Sequence, residues 1–125
     1  MPDLSWNEVR DRAIHFSRSW AGVTSESAEK QTFWNEFFSI FGRDRRAVAA
    51  FEVAVENIRG NYSSIDLLWP GVLLVEHKSQ GRSLGAAESQ AFAYIGDLAR
   101  ETRFEEIPRF VVVSDFARFA LFDLE

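Results

Sequence analysis

Residues 62–69 and 72–79 are two apolar, β-branched runs set on either side of Pro70-Gly71. Proline fixes φ and glycine accepts a positive φ, so this pair punctuates a turn and the runs read as a β-hairpin. Both runs nevertheless carry charge, at Asp66 and at Glu76 and Lys78, where a buried strand would exclude it. That conflict between burial and charge is the main functional signal in the chain.

The segments beyond the hairpin limit its architecture. Gly81 and Ser83 break the strand pattern, and Leu84, Ala87, Ala91, Ile95 and Leu98 then recur at helical spacing through residues 83–101. Residues 109–124, RFVVVSDFARFALFDL, supply two more strands joined near residues 114–117, with Pro108 tolerated just before the first and Asp115 placed for an Asx-type turn. The order β-β, helix, β-β makes that helix a natural crossover between parallel strands.

The first half reads as helical. Ser5 and Glu8 form the S-x-x-E capping-box pattern ahead of Val9, Ala13, Phe16 and Trp20, and a loop is expected over 22–27. Phe33, Trp34, Phe37, Phe38 and Phe41 stripe a second helix over 28–41, closed by Gly42. Ala47, Ala50, Phe51, Ala54, Val55 and Ile58 fit a third helix over 45–59, with Asp44 as its N-cap and Gly60 as its stop. The expectation is an α/β (α+β) fold, a central mixed four-stranded sheet flanked by helices. It forms a single domain over 1–125, with a helical part over 1–60 and a core over 61–125. The last strand runs straight to Glu125, so the natural polypeptide is expected to continue, although the final Leu-Glu reads equally as a cloning remnant.

Composition excludes several chemistries. With no cysteine there is no disulfide framework, thiolate zinc site or thiol nucleophile, and with only two histidines, His15 and His77, a histidine-rich metal cage is improbable. Neither histidine lies in a nucleophile motif. A net charge of −5 argues against broad adhesion to nucleic acid, so any such role needs help from elsewhere. No leader pattern or membrane-length apolar run is present, and the expected location is cytoplasmic, with no membrane partner.

Side chains alternate along a strand, so Val72, Leu74, Glu76 and Lys78 share one face, and Leu73, Val75 and His77 the other. A two-residue loop at Pro70-Gly71 would pair Asp66 with Val75 and turn it away from Glu76. A three-residue loop centred on Gly71, or a single bulge, instead sets Trp69 opposite Leu73 and Asp66 opposite Glu76. Cross-strand Cβ atoms then lie roughly 4.5–5.5 Å apart, within reach of one hard divalent cation. This odd register is the expected one. Two carboxylates so close stay ionised only beside a cation or Lys78, and oxygen ligands select Mg²⁺ or Mn²⁺. The same three residues equally make a plain, partly exposed ion-pair cluster.

With its surroundings the stretch resembles the PD-(D/E)xK nuclease superfamily, in which an Asp on one strand and an E-x-K on the next form the metal site of a restriction-endonuclease-like core. Ser89-Gln90-Ala91-Phe92-Ala93-Tyr94 is similar to the Q-x-x-x-Y element found in several members. Residues 65–94 and 108–125 further resemble the N-terminal endonuclease domain of MmeI-like type II (IIG/IIL) restriction-modification enzymes. The resemblance implies a Mg²⁺-dependent DNA endonuclease domain, with Mn²⁺ as a substitute metal. Asp66 and Glu76 are then ligands, the His77 backbone carbonyl a further ligand, and Lys78 the group serving the attacking water or the transition state. Glu52, on the expected third helix, would hold a metal-bound water, although Glu56 in the same FEVAVE stretch offers the same group and a helix-face glutamate is more often simply exposed; Gln90 and Tyr94 would meet substrate or a site ligand, and Arg82 would face phosphate. Arg43, Arg45, Arg46 and Arg59 would extend that rim, although scattered arginines are more often a solvated face.

The resemblance also implies double-stranded DNA as substrate, a bacterial or archaeal cytoplasm, and a possible dimer for double-strand cleavage. No Gly-rich cofactor loop or methyltransferase motif is present, so S-adenosylmethionine, the methyltransferase and the target-recognition domains would belong to the rest of a longer parent chain. The rival expectation is a catalytically inactive scaffold of the same fold, or a DNA-binding module, docking on a methyltransferase. His77 is expected in the core, and the tryptophans as core residues rather than base-stacking platforms.

Overall fold

A computed structural model describes residues 4–24 and 26–125. The elements run α1 (Trp6–Ser19), α2 (Glu26–Ile40), α3 (Arg45–Val48), β1 (Ala50–Glu56), β2 (Tyr62–Trp69), β3 (Leu73–His77), α4 (Leu84–Arg100), β4 (Phe110–Ser114) and β5 (Phe119–Asp123). Ser25, in the expected 22–27 loop, lies outside the described residues. Each capped helix starts at its cap: the Ser5 hydroxyl accepts the Glu8 N–H, Asp44 the Arg46 N–H and Ser83 the Ala86 N–H, each satisfying a donor the helix itself leaves free.

The sheet has five strands in the order β1-β2-β3-β4-β5, where four were expected. Only β3 and β4 are parallel, joined by α4 as the crossover, and the other neighbours are antiparallel. The extra strand comes from the expected third helix, which ends at Val48 after one turn. In residues 51–55 apolar side chains also alternate, as Phe51, Val53 and Val55, so the stretch satisfies both periods. Pairing decides between them. As β1 it gives β2 a second hydrogen-bonded neighbour, from Ala50↔Leu68 to Glu56↔Tyr62, and a buried strand cannot leave that edge unpaired.

Helices cover both faces of the sheet. On one, α4 packs Ala87, Ala91, Tyr94 and Leu98 against Ile65, Leu68, Leu74, Val111 and Val113. On the other, Trp20, Phe33, Trp34 and Phe38 from the N-terminal helices meet Leu67, Val75, Val112 and Phe116. Burial of each such aromatic stabilises the fold by roughly 2–3 kcal/mol, so this second layer anchors α2 to the sheet.

Candidate active site

The β2–β3 turn positions the site. Leu67↔Val75, Leu68↔Leu74 and Trp69↔Leu73 are paired, which is the expected odd register, with Pro70, Gly71 and Val72 as the three-residue loop. Gly71 has φ +77, and its N–H donates to the Glu106 carbonyl at 3.2 Å. Beyond Leu67 the Asp66 side chain takes over from the ladder: its Oδ2 accepts the His77 backbone N–H at 2.7 Å. The carboxylate is thereby fixed between the strand ends, next to Glu76.

The alternation of faces breaks at this point. Leu67 faces the aromatic layer, whereas Ile65 and Leu68 face α4. On the neighbouring strand Phe51 and Val53 also face opposite layers, and Glu52 between them has φ +51. The flanking pairs Phe51↔Leu67 and Val53↔Ile65 set Glu52 across from Asp66. A non-glycine residue in the left-handed region costs on the order of 1 kcal/mol, and such strain concentrates at functional sites. Glu52 therefore reaches the cluster from a strand rather than from the expected helix.

Glu76 and Lys78 lie on the α4 face, as alternation predicts. Lys78 Nζ stands 3.1 Å from Glu76 Oε1 and donates to Gln90 Oε1 at 2.9 Å. Gln90 Nε2 donates to the Tyr94 hydroxyl at 2.7 Å, and that hydroxyl donates to the Ser64 carbonyl at 2.9 Å. Gln90 and Tyr94, one helical turn apart, thus anchor Lys78 from α4. Burial, then the charges of Glu76 and Asp66, raise the Tyr94 pKa, so its hydroxyl stays protonated and serves as a donor.

Glu76 is the most perturbed acid. Its side chain is 3% exposed, and Oε2 is buried with no hydrogen-bond partner. Burial first, and the Asp66 carboxylate second, push its pKa up to about 8 against the opposing pull of Lys78. His77 turns the other way, into the aromatic layer, as expected. Its Nδ1 accepts from Trp34 Nε1 at 2.9 Å, its ring lies 4.3 Å from that of Phe116, and burial lowers its pKa to about 4. A neutral, enclosed imidazole is no proton shuttle for the cluster on the opposite face.

Lys30 went unforeseen. From α2 its ammonium stands 2.9 Å from Asp66 Oδ1 and 3.3 Å from Glu52 Oε1. The signal was present: Lys30 precedes Phe33, Trp34 and Phe37 by three, four and seven residues, and so lies on the inward stripe of α2. A lysine on that stripe needs a buried anion. Desolvation opposes its charge, yet Asp66 and Glu52 together hold its pKa above the ordinary value.

Arg45 bonds Asn35 and the Ala49 carbonyl and lies over the Phe51 ring, a structural commitment. Arg82 is exposed between β3 and α4, and among the described residues no hydrogen bond or ion pair joins its side chain to the cluster. Nor do any three His, Cys, Asp or Glu side chains, among the described residues, form a group able to hold a metal. Asp66 and Glu76 are a pair, with Glu52 held apart on Lys30.

The fold and cluster define a class: an α+β domain with a mixed sheet between helical layers and an acid–lysine group where a hairpin splays open. The model of the MmeI N-terminal domain family matches residues 11–125, and the chain belongs to that family. Membership suggests part of a restriction-modification enzyme. No curated protein and no solved structure gives a match. Among the described residues no helix is long and apolar enough to cross a membrane.

Proposed function

We propose that this chain is a PD-(D/E)xK-type, divalent-metal-dependent DNA endonuclease domain that hydrolyses phosphodiester bonds within a restriction-modification enzyme. The observation that carries this reading is the convergence of Asp66, Glu76 and Lys78 at the splayed end of the hairpin, with Glu76 Oε2 buried and unpartnered. An orphaned carboxylate oxygen beside a second carboxylate fits a hard cation, and the all-oxygen donor set fits Mg²⁺ or Mn²⁺. Asp66, Glu76 and the His77 carbonyl would hold the ion. When bound, Mg²⁺ supplies Lewis-acid neutralisation of phosphodiester charge and acidifies water.

The protein's own groups do the positioning. The His77 N–H fixes Oδ2 of Asp66, and Oδ1, which the Lys30 ammonium now faces, is the oxygen that would turn toward a ligand. Lys78, held between Glu76 and Gln90, presents an ammonium that orients the attacking water or offsets charge in the transition state. Gln90 and Tyr94 act through Lys78. Double-stranded DNA is the substrate, and methyltransferase and target-recognition domains of a parent chain are the partners. They would supply the DNA affinity that the acidic balance denies this domain.

The rival reading is a nuclease-fold scaffold without activity. It is favoured by Lys30 and Lys78, which already pair Asp66 and Glu76. Plasmid nicking at low salt with Mg²⁺ or Mn²⁺ separates the two. The nuclease reading expects metal-dependent nicks that Asp66→Ala and Lys78→Ala each reduce by about 10²-fold or more. Nicking that survives both substitutions rejects the site. Inactivity of the wild type, both alone and within the full-length parent protein, leaves the scaffold.

A further inference from the structure

We infer that Lys30 is a resident counter-ion of this site, occupying Asp66 until a divalent cation displaces it. Lys30 thereby sets how readily the site loads. The inference rests on the nuclease reading, since it concerns regulation of that same site.

The charges require such a group. Glu52, Asp66 and Glu76 come from three adjacent strands: Asp66 lies beside Glu76, and Glu52 is set across from Asp66 on β1, held apart on Lys30. Two ammonium groups face them from opposite layers, Lys78 on the α4 side and Lys30 on the α2 side. Each has its own partners: Lys78 bonds Glu76 and Gln90, and Lys30 bonds Asp66 and Glu52. The other Asp66 oxygen is already engaged by the His77 N–H. A cation seeking Asp66 Oδ1 therefore meets an ammonium 2.9 Å from it. Lys30 and the incoming ion compete for the same lone pairs.

The seat can be vacated without unfolding. Lys30 projects from the first half of α2, whose later residues Phe33, Trp34 and Phe38 carry the packing against the sheet. Its Glu52 partner is 47% exposed, so the ammonium has a route toward solvent along a flexible four-carbon stem. Removing the lysine outright would leave Asp66 and Glu52 without their shared cation, which destabilises the metal-free protein and tightens the hold on an added one.

Calorimetric titration with Mn²⁺ alone tests this on the wild type, Lys30→Met, Lys30→Arg and Asp66→Ala, each first checked for folding by circular dichroism. Lys30→Met is expected to bind Mn²⁺ about tenfold more tightly than the wild type, and Lys30→Arg no more tightly than the wild type. Equal or weaker binding by Lys30→Met overturns the inference while leaving the nuclease reading intact. Absence of Mn²⁺ binding in the wild type and in a folded Lys30→Met alike, matching Asp66→Ala, overturns both. A measurement on the wild type covers the case in which the Met variant fails to fold. Side-chain lysine NMR during Mg²⁺ titration should move the Lys30 signal to the value of a solvated lysine, and a Lys30 signal unmoved at saturating Mg²⁺ overturns the proposal.

Discussion

At the scale of single residues, the buried polar groups of this protein divide into those that are satisfied and those left open. His77 is half satisfied: Nδ1 accepts from Trp34 Nε1, and Nε2 is buried without a partner. Trp34→Phe keeps an aromatic ring but is smaller than the buried indole and leaves both imidazole nitrogens unpaired, so lost packing and a lost hydrogen bond act together and it should cost at least about 1–3 kcal/mol in urea denaturation. Asp115 is fully satisfied. Burial works to raise its pKa, but bonds from Arg118 and from the backbone N–H groups of Arg118 and Ala117 overcome this and hold it below the ordinary value. Because the folded carboxyl is the stronger acid, the unfolded chain takes up the proton first as pH falls. This contribution to stability is full above about pH 4 and fades as pH drops through the depressed value. Asp115→Asn retains the turn-forming oxygen but not the charge. It should lower stability at pH 7 by about 1 kcal/mol and flatten the acid side of the stability profile, as read by thermal melts from pH 7 to 2. Single residues were also where reading the sequence was least complete. Asp66, Glu76 and Lys78 stood out because strands expose their charge against an apolar background. Lys30 did not, because its partners lie 22 and 36 positions away and only the packing of α2 brings them together.

At the scale of elements, the hairpin turn decides whether a site can exist. Its odd register came from two local facts, the Pro-Gly pair and the parity that brings Asp66 to Glu76, and the structure has that register. The third helix was misread because residues 50–58 carry both a helical stripe and a two-residue alternation. Only β2, a later segment, selects the strand, so no local argument could choose. The capped helices α1 and α4 were legible because their signals are contained in the segment itself: Ser5 and Ser83 at the starts, apolar spacing within. Gly71 shows how tightly the turn is held. A Cβ there would sit 3.2 Å from the Glu105 carbonyl oxygen on a backbone at φ +77. Gly71→Ala should therefore cost about 1–2 kcal/mol by thermal denaturation, since strain and contact act together. A neutral result would show that the loop relaxes and that register is fixed by the strands alone.

At the scale of the whole molecule, stability is concentrated in the sheet and fades toward the N-terminus. β2, β3 and β4 are buried on both faces, with Leu67, Leu74, Val75 and Val111 fully enclosed, and α4 seals one face with Ala87, Ala91 and Leu98. The other face depends on α2, whose Phe33 and Trp34 are fully buried. In contrast, α1 has no buried residue between Trp6 and Ser19, and a cavity of about 650 Å³ lies between it, α2 and the β4–β5 turn. It contacts α2 through Phe16, which meets the rings of Phe33 and Phe37, and through Arg12, which donates to the Ser39 carbonyl at 2.8 Å. A helix with so little enclosed apolar surface opens without disturbing the rest, because opening it gives up few contacts. Amide hydrogen exchange should therefore resolve two levels. Leu67, Val75 and Val112 should exchange through global unfolding, while amides in the middle of α1 should exchange at least about 10²-fold faster and respond little to denaturant. Uniform protection would mean that α1 is part of the cooperative unit. Lys30 lies at the junction between the two levels, on a helix anchored by its aromatic half and next to the less stable layer. The site's two carboxylates are tied to the sheet while Lys30 reaches them from a separate layer, α2, the arrangement that a displaceable counter-ion needs.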